Sequence, residues 1–223
     1  MFFDKYHKGG NRMRIYATTY HLANEENKHQ KEHRAGLNLL RYGLKEAYHL
    51  PFSEEDFTEE LGKGEHGKPY LKRFPQICFN ISHSNGIAVC AISQSGVGID
   101  VERIGTFRAA VARRVLTEKE IEFLETLTEH ERGEMFYRFW TLKESYLKLD
   151  GSGLARDPRE VEFQMEKQAD KWLAFCEDSK VWCCQKKLTE DCMMAACWKP
   201  MAETEEPENP EVMWITGDAL ENL

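Results

Sequence analysis

Hydrophobic positions recur at helical spacing around the stretch FWTLKESYLKLDGSGL, which spans residues 139–154. At about 100° per residue, one stripe of this helix carries five large apolar side chains: Met135, Phe139, Leu142, Tyr146 and Leu149. Glu144 falls almost opposite that stripe, and Lys148 follows one turn later. The pattern predicts a helix that is anchored along one face and presents charges on the other. Taken alone, Glu144 and Lys148 are also compatible with a solvated i,i+4 ion pair.

The chain before this helix alternates strand-like and helical patterns. MRIYATTYHL, from Met13, has strand character, and apolar residues then recur at helical spacing from about Glu25 to Tyr48. Three strand-like runs follow, ICFNI, IAVCAIS and VGIDVERI, and we expect turns at SHSNG and at Gln-Ser-Gly between them. These features predict a mixed α and β half of the chain over residues 13–105, with residues 1–12 as an extension outside the fold.

The second half, residues 106–223, opens with VLTEKEIEFL, where Thr117 and Glu120 have the spacing of a capping box. Strands are predicted at VWCCQKK, at CMMAACWK and, at about 211–216, at EVMWIT. An acidic, proline-containing stretch at about 201–210 separates the last two and is expected to be a linker.

Composition narrows the class of protein. The 223 residues carry a net charge of −8. Residues 201–223 contain seven acids and no Lys or Arg, so the rest of the chain is nearly neutral. The basic residues are too dispersed to indicate nucleic-acid binding. The absence of a long apolar run or a signal-peptide pattern favours a cytoplasmic protein without a membrane segment. The seven cysteines contain no C-x-x-C pair, so reduced, packed thiols are favoured over a zinc site.

Two carboxylates in VGIDVERI are candidates for metal binding. Asp100 and Glu102 are two residues apart on a predicted strand and therefore point to the same side. Such a pair suits Mg²⁺, which prefers a few hard oxygen ligands and keeps waters or phosphates as its other ligands. An exposed edge strand is the simpler alternative for this motif alone. Glu144 is a candidate third carboxylate, with Lys148 beside it as a partner for phosphate.

Two further stretches carry polar groups suited to an anionic ligand. Ser82 and His83 lie in the predicted SHSNG turn, and Lys68 lies in HGKP. Each stretch alone is as compatible with an ordinary turn or loop.

Taken in order, HGKPYL, FNISHSNGIAV, VGIDVER and FWTLKESYLKLDGSGL resemble the 4′-phosphopantetheinyl transferases of the Sfp type. The resemblance runs from about Met13 to Leu154. It implies an α+β fold of two pseudo-symmetric halves with the active site in the cleft between them.

The resemblance also implies roles for individual residues. The metal ligands for Mg²⁺ would be Asp100, Glu102 and Glu144, and the catalytic residues would be Glu144, as general base, and Lys148. The contacts to coenzyme A, its phosphates included, would come from six side chains: Arg34, Lys68, Ser82, His83, Lys143 and Lys148.

The implied reaction transfers 4′-phosphopantetheine from coenzyme A to a serine of an apo acyl or peptidyl carrier protein, releasing 3′,5′-ADP. The protein is expected to act as a monomer, with no nucleic-acid or membrane partner. Two other classes remain open at this point. One is a different Mg²⁺-dependent phosphotransferase or nuclease, and the other is a non-enzymatic protein that binds coenzyme A or a carrier.

Overall fold

The computed structural model describes residues 13–20, 28–64, 67–200, 209–221 and 223. The predicted extension at 1–12 and most of the predicted acidic linker lie outside these residues. In the described part of the chain the fold is mixed α and β. It divides into two compact units, with one break between Val97 and Gly98 and a C-terminal segment that returns to the first unit.

Before the break at Val97, the chain forms β1 (Arg14–Thr19), α1 (Lys28–Tyr48), α2 (Glu54–Glu60), β2 (Leu61–Lys63), β3 (Pro69–Leu71), β4 (Cys78–Ser84) and β5 (Ile87–Ser93). The second part of the chain forms β6 (Val97–Arg103), α3 (Ala109–Val115), α4 (Glu118–Glu125), α5 (Glu129–Asp150), β7 (Phe163–Gln168), β8 (Lys171–Cys176), β9 (Trp182–Thr189) and β10 (Cys192–Trp198). The C-terminal segment forms β11 (Val212–Trp214) and α6 (Gly217–Glu221).

The first unit is built on a four-stranded sheet with the order β11-β1-β5-β4. β11 runs parallel to β1, whereas β5 is antiparallel to both β1 and β4. Helix α1 packs on this sheet through Leu39, Leu40 and Leu44, which are fully buried. Gly36 allows the close approach, because a Cβ there would lie 2.4 Å from Cγ2 of Ile81 on β4.

The second unit places α5 against a three-stranded sheet with the order β6-β10-β9. All five residues of the predicted apolar stripe of α5 are buried, which confirms the helix and its inward face. The helix begins after Thr128, whose side chain accepts a hydrogen bond from the backbone N–H of Glu131. It ends at Gly151, which has φ of 82°, a conformation that glycine adopts without strain.

The capping box at the start of α4 is confirmed. Thr117 accepts from the backbone N–H of Glu120, and the Glu120 carboxylate accepts from the backbone N–H of Thr117.

The turn predicted at SHSNG is present but shorter than predicted. Ser82, His83 and Ser84 belong to β4, and the turn consists of Asn85 and Gly86, with φ of 47° and 88°. Two consecutive residues with positive φ form the kind of two-residue turn that matches strand twist, and Asn-Gly is the preferred pair for it. Since successive side chains of a strand point to opposite faces, Ser82 and His83 do not share a side.

The grouping of strands differs from the predicted halves at two places. All of β6 except Val97 lies in the second unit although residues 13–105 were assigned to the first, and β11 lies in the first unit although it follows the second in the chain. The strand predicted at about 211–216 is present at 212–214, and its parallel pairing with β1 explains its place. The hairpins β2-β3 and β7-β8 were not predicted. β2 and β3 have only three residues each, whereas β8, KWLAFC, contains an apolar run that sequence analysis did not assign.

All seven cysteines occur in the part of the chain that the structure describes, and each is a free thiol. Burial raises the pKa of Cys176 to about 11 and the pKa of Cys184 to about 12. Three of the thiols are buried and the other four are partly buried, and the expectation that they are reduced stays a prediction. No helix among the described segments is both long and apolar enough to cross a membrane.

Candidate active site

The site in the second unit depends on a close approach between strand β6 and helix α5. Gly98 lies at the contact, where an added Cβ would be 2.0 Å from the backbone oxygen of Ser145 and 2.4 Å from the backbone nitrogen of Leu149. Both opposing atoms belong to a helical backbone and cannot rotate away. Only glycine allows β6 to approach α5 this closely, and this approach places the next residues of the strand against the helix.

Asp100 and Lys148 are joined at this contact. The Nζ atom of Lys148 donates to Oδ1 of Asp100 at 2.6 Å and to the backbone oxygen of Ile99 at 3.3 Å. The Asp100 side chain is 5% exposed and that of Lys148 is 27% exposed, so the pair is only partly screened by water. The ion pair brings together the first carboxylate of the G-I-D-x-E motif and the second lysine of the K-E-S-x-x-K motif.

Glu144 lies one helical turn before Lys148 and interacts with the same aspartate. Its pKa is raised above the ordinary value by burial and by the negative charge of Asp100, while Lys148 acts in the opposite direction. A raised pKa makes this carboxylate a better proton acceptor than one in water. The structure therefore brings together three of the predicted site residues: Asp100, Glu144 and Lys148.

Glu102 lies farther along the same strand, at the edge of a pocket of about 400 Å³. The pocket is formed entirely within the second unit, and its wall includes Arg108, Phe136, Tyr137 and Trp140. Glu102 is partly exposed, whereas Asp100 is buried.

The donor type at this site suits a hard divalent cation, since Asp100 and Glu144 are neighbouring carboxylates and Glu102 is two residues away on the strand. Within the described ranges, however, no three His, Cys, Asp or Glu side chains are grouped closely enough to form a metal site. The residues fit Mg²⁺ in chemistry, and a metal would compete with Lys148 for Asp100. A site formed by all three carboxylates stays a prediction.

The expectation for Lys143 has to be corrected. Its side chain is completely buried and forms an ion pair with Glu120, with Nζ 2.8 Å from Oε2. The same ammonium donates to the backbone oxygens of Pro158 at 3.0 Å and Val161 at 2.6 Å. Since a lysine ammonium has three N–H groups, all of its donors are used inside the protein. Lys143 is therefore not available to coenzyme A in this structure.

One of the predicted coenzyme A-binding residues of the first unit, His83, lies beside a buried carboxylate that sequence analysis missed. Glu32 on α1 is 4% exposed and accepts a hydrogen bond from the Tyr20 hydroxyl at 3.2 Å. Nδ1 of His83 lies 3.7 Å from the other carboxylate oxygen of Glu32. Nζ of Lys28 and Nδ1 of His29 lie 3.9 Å and 3.6 Å from the same carboxylate. Glu32, on the neighbouring helix, can form an ion pair with His83 when the imidazole is protonated.

The other three predicted residues of this unit have different surroundings. Lys68 donates to the backbone oxygen of Val97 at 3.3 Å, and Ser82 is buried within β4. Arg34 is exposed and lines a pocket between α1 and α2. Because residues two positions apart on a helix differ by about 200°, Arg34 does not share the face of α1 on which Glu32 meets His83.

Sequence analysis also missed Gly98 and the second role of Glu120. The close approach at Gly98 depends on two elements far apart in sequence, although an isolated glycine in a strand pattern does indicate such an approach. Glu120 was predicted as half of a capping box, and nothing in that local pattern indicates that its carboxylate also pairs with Lys143.

Comparison with known proteins identifies relatives of this chain. Residues 96–197 match the model of the 4′-phosphopantetheinyl transferase superfamily. The 4′-phosphopantetheinyl transferase Sfp of Bacillus subtilis is 32% identical over 117 residues, which are 52% of this chain and 50% of Sfp. The 4′-phosphopantetheinyl transferase gsp of Aneurinibacillus migulanus is 41% identical over 92 residues, which are 41% of this chain and 38% of gsp. The chain thus spans about half the length, or less, of these relatives.

Among solved structures, a holo-(acyl-carrier-protein) synthase from Bacillus anthracis resembles this chain with a TM-score of 0.39 and 19% identity, over 47% of this chain and 95% of that one. The sequence matches, including that of residues 96–197, are the stronger similarity. The matched segment contains all of the clustered residues described above, namely Asp100, Glu144 and Lys148. Residues 96–197 of this chain therefore match the 4′-phosphopantetheinyl transferase superfamily, and the chain is similar to Sfp-type transferases over about half of its length.

Proposed function

We propose that this protein transfers 4′-phosphopantetheine from coenzyme A to a serine of an apo acyl or peptidyl carrier protein, in a reaction that depends on Mg²⁺. The observation that carries the proposal is the cluster of Asp100, Glu144 and Lys148 within the segment that matches the transferase superfamily. A family match supplies the class of reaction, and the cluster supplies the charged groups that this reaction needs.

Glu144 is proposed as the general base. In the reaction the serine oxygen attacks the β-phosphorus of coenzyme A, a new P–O bond forms, and the bond to the departing 3′,5′-ADP breaks with its electron pair on the ADP. The serine hydroxyl proton must leave as the new bond forms. Burial and the charge of Asp100 raise the pKa of Glu144, which suits it to accept that proton directly or through a water.

Lys148 is proposed to stabilise the negative charge that develops along the pyrophosphate. Its ammonium is held by Asp100 and by the backbone oxygen of Ile99, so it is oriented before the substrate arrives. When bound, Mg²⁺ supplies a Lewis acid for the pyrophosphate oxygens. Asp100, Glu102 and Glu144 are the proposed residues that would hold it.

The contacts between the first unit and coenzyme A, the phosphopantetheine donor, remain proposals as well. Lys68 and His83 carry or can carry positive charge suited to the phosphates of the nucleotide, and Ser82 can donate a hydrogen bond. Arg34 is kept as a proposed contact, although its pocket is not shared with His83. Lys143 is not proposed as a donor contact, because its ammonium is buried and fully hydrogen-bonded.

The proposal is tested by incubating the protein with coenzyme A, Mg²⁺ and a panel of apo carriers of the fatty-acid, polyketide and nonribosomal-peptide types, followed by intact-mass measurement. We expect one phosphopantetheine to be added to the acceptor serine of at least one carrier, with release of 3′,5′-ADP. A chelated sample and a carrier with that serine replaced by alanine serve as controls.

Two results would contradict the proposal. Hydrolysis of nucleotides or nucleic acid without any carrier modification would favour a different Mg²⁺-dependent phosphotransferase or nuclease. Binding of coenzyme A without transfer to any carrier would favour a non-enzymatic binding protein. Action as a monomer in the cytoplasm also stays a prediction, which sedimentation and cell fractionation can check.

A further inference from the structure

The ammonium group of Lys143 is held by three acceptors that come from different segments of the second unit. One is the Glu120 carboxylate at the start of α4, and the others are the backbone oxygens of Pro158 and Val161, which precede β7. The side chain of Lys143 is 0% exposed. Helix α5 is thus tied at this residue to both α4 and the chain that leads into β7.

Both carboxylate oxygens of Glu120, the partner of Lys143, accept hydrogen bonds. Its Oε2 accepts from the backbone N–H of Thr117 at 2.8 Å and from Lys143, while its Oε1 accepts from the backbone N–H of Phe163 at 2.9 Å. Burial raises the pKa of Glu120 and lowers the pKa of Lys143, and each partner offsets this effect in the other. Removal of either partner would leave the other charge buried and uncompensated, which is costly.

Helix α5 is therefore held from two directions by two of its lysines. Lys143 and Lys148 are five residues apart, so they differ by about 140° around the helix axis. Lys143 contacts α4 and the segment before β7, whereas Lys148 contacts Asp100 and Ile99 on β6. Two attachments at such different angles fix the rotation of the helix about its axis. Glu144 follows Lys143 directly in the chain, so its direction depends on that rotation.

We propose that Lys143 is a positioning residue: its buried attachment to Glu120, Pro158 and Val161 sets the rotation of α5 so that Glu144 and Lys148 face Asp100. The catalytic meaning of this orientation rests on the proposed function. The geometric part, that Lys143 controls the environment of Lys148, does not.

The first test uses the wild-type protein and lysine-selective reductive methylation, followed by peptide mass analysis. Lys143 is expected to remain unmodified with or without coenzyme A and to react only after denaturation. Lys148 is expected to react in the free protein and to be protected by coenzyme A. Native Lys143 that reacts as fast as surface lysines and is protected by coenzyme A would overturn the proposal, because it would then be a ligand contact.

The second test compares Lys143→Met with Thr128→Ala. Methionine keeps an unbranched chain of similar length without the charge, and Thr128→Ala removes the cap of the same helix at its far end. With the ion pair gone, α5 can rotate, and Lys148 should be methylated several times faster than in the wild type. Thr128→Ala should leave the rate at Lys148 unchanged. Equal rates at Lys148 in Lys143→Met and the wild type would overturn the positioning role without reference to catalysis.

The kinetic comparison separates positioning from simple loss of stability. Measured below the unfolding transition, kcat of Lys143→Met should fall by about tenfold or more, because small displacements of reacting groups are costly, while KM for coenzyme A should stay within about twofold. Thr128→Ala should retain both constants. Unchanged kcat in folded Lys143→Met, or a loss confined to KM, would overturn the proposal.

If Lys143→Met does not fold, Glu120→Gln provides the same test, because glutamine keeps the shape and the acceptor oxygen but not the charge. Like Lys143→Met, this variant should raise the methylation rate of Lys148 and lower kcat. An unchanged methylation rate and an unchanged kcat would overturn the proposal. Failure of the proposed function has a different signature. In that case no carrier would be modified by the wild type, while the effect of Lys143→Met on the methylation rate of Lys148 would persist.

Discussion

Lys148 on α5 and Asp100 on β6 form an ion pair across 48 positions of sequence, with Nζ 2.6 Å from Oδ1. This pair links the helix that supplies Glu144 to the strand that supplies both other proposed metal ligands. It also gives Asp100 two partners in the proposed reaction, the lysine and the metal. The separate contributions of the two residues can therefore be distinguished by the response of their variants to metal.

Asp100→Asn should weaken metal binding while it preserves the size of the side chain. Its transfer activity should fall by at least about tenfold at low Mg²⁺ and recover in part at high Mg²⁺ or with Mn²⁺, whose coordination is more permissive. Titration of transfer rate against each metal provides the measurement. Lys148→Met is the matched comparison: it should lose activity through charge stabilisation and should not be rescued by either metal. Rescue of both variants, or of neither, would contradict the division of roles.

Gly98→Ala should destabilise the second unit by at least about 2 kcal/mol, because the new methyl group would overlap backbone atoms of α5 that cannot move aside. Gly133→Ala on the same helix is the control, since its nearest neighbour would be 3.8 Å away, and it should be neutral or stabilising by up to about 1 kcal/mol. Urea denaturation of both variants provides the comparison. Equal stabilities of Gly98→Ala and the wild type would show that β6 does not approach α5 as described.

The raised pKa of Glu144 predicts how its replacement affects stability with pH. A carboxyl group whose pKa is higher in the folded protein stabilises fully below its ordinary value of 4.5, and that contribution is lost as the pH rises through the folded-state pKa. Glu144→Gln cannot ionise, so its Tm should exceed that of the wild type at neutral pH. The difference should shrink as the pH falls through the folded-state pKa and be absent below the ordinary value. A lower Tm for Glu144→Gln at neutral pH would mean that attraction to Lys148 outweighs burial and repulsion by Asp100.

The proposed donor contacts predict a difference between two ligands. Coenzyme A should raise the Tm of the wild type more than dephospho-coenzyme A, which lacks the 3′-phosphate that positive side chains can bind. His83→Ala and Lys68→Ala should reduce that difference, as measured by thermal unfolding at matched ligand concentration. Equal Tm shifts for the two ligands in the wild type would remove the basis for these nucleotide contacts.

The parts of the fold that the sequence predicted are those with local causes. The buried stripe of α5 follows from a helical period, and the Thr117–Glu120 capping box follows from a spacing of three residues. Both can be derived without knowledge of any distant contact. The end of β4 was wrongly predicted because serines and a histidine suggest a turn, whereas the positive φ angles belong to Asn85 and Gly86.

The arrangement of the site depends on distant contacts, and here the sequence was a weaker guide. A helical pattern treats Lys143 and Lys148 alike, as charges outside an apolar stripe. It cannot show that Lys143 pairs with Glu120 from α4, whereas Lys148 pairs with Asp100 from β6. Glu32 was missed for the same reason, since its partner His83 lies on a strand far along the chain.

The central claim is that the cluster around Glu144 carries out phosphopantetheinyl transfer, and a single-turnover measurement of Glu144→Gln tests it most directly. The rate of carrier modification would be followed by intact mass at saturating coenzyme A and Mg²⁺, with circular dichroism to confirm that the variant is folded. Loss of both the proton acceptor and a metal ligand should reduce the rate by at least about 100-fold. Folded Glu144→Gln that modifies its carrier at the wild-type rate would contradict the account and leave Glu144 as a partly buried charge without a catalytic role.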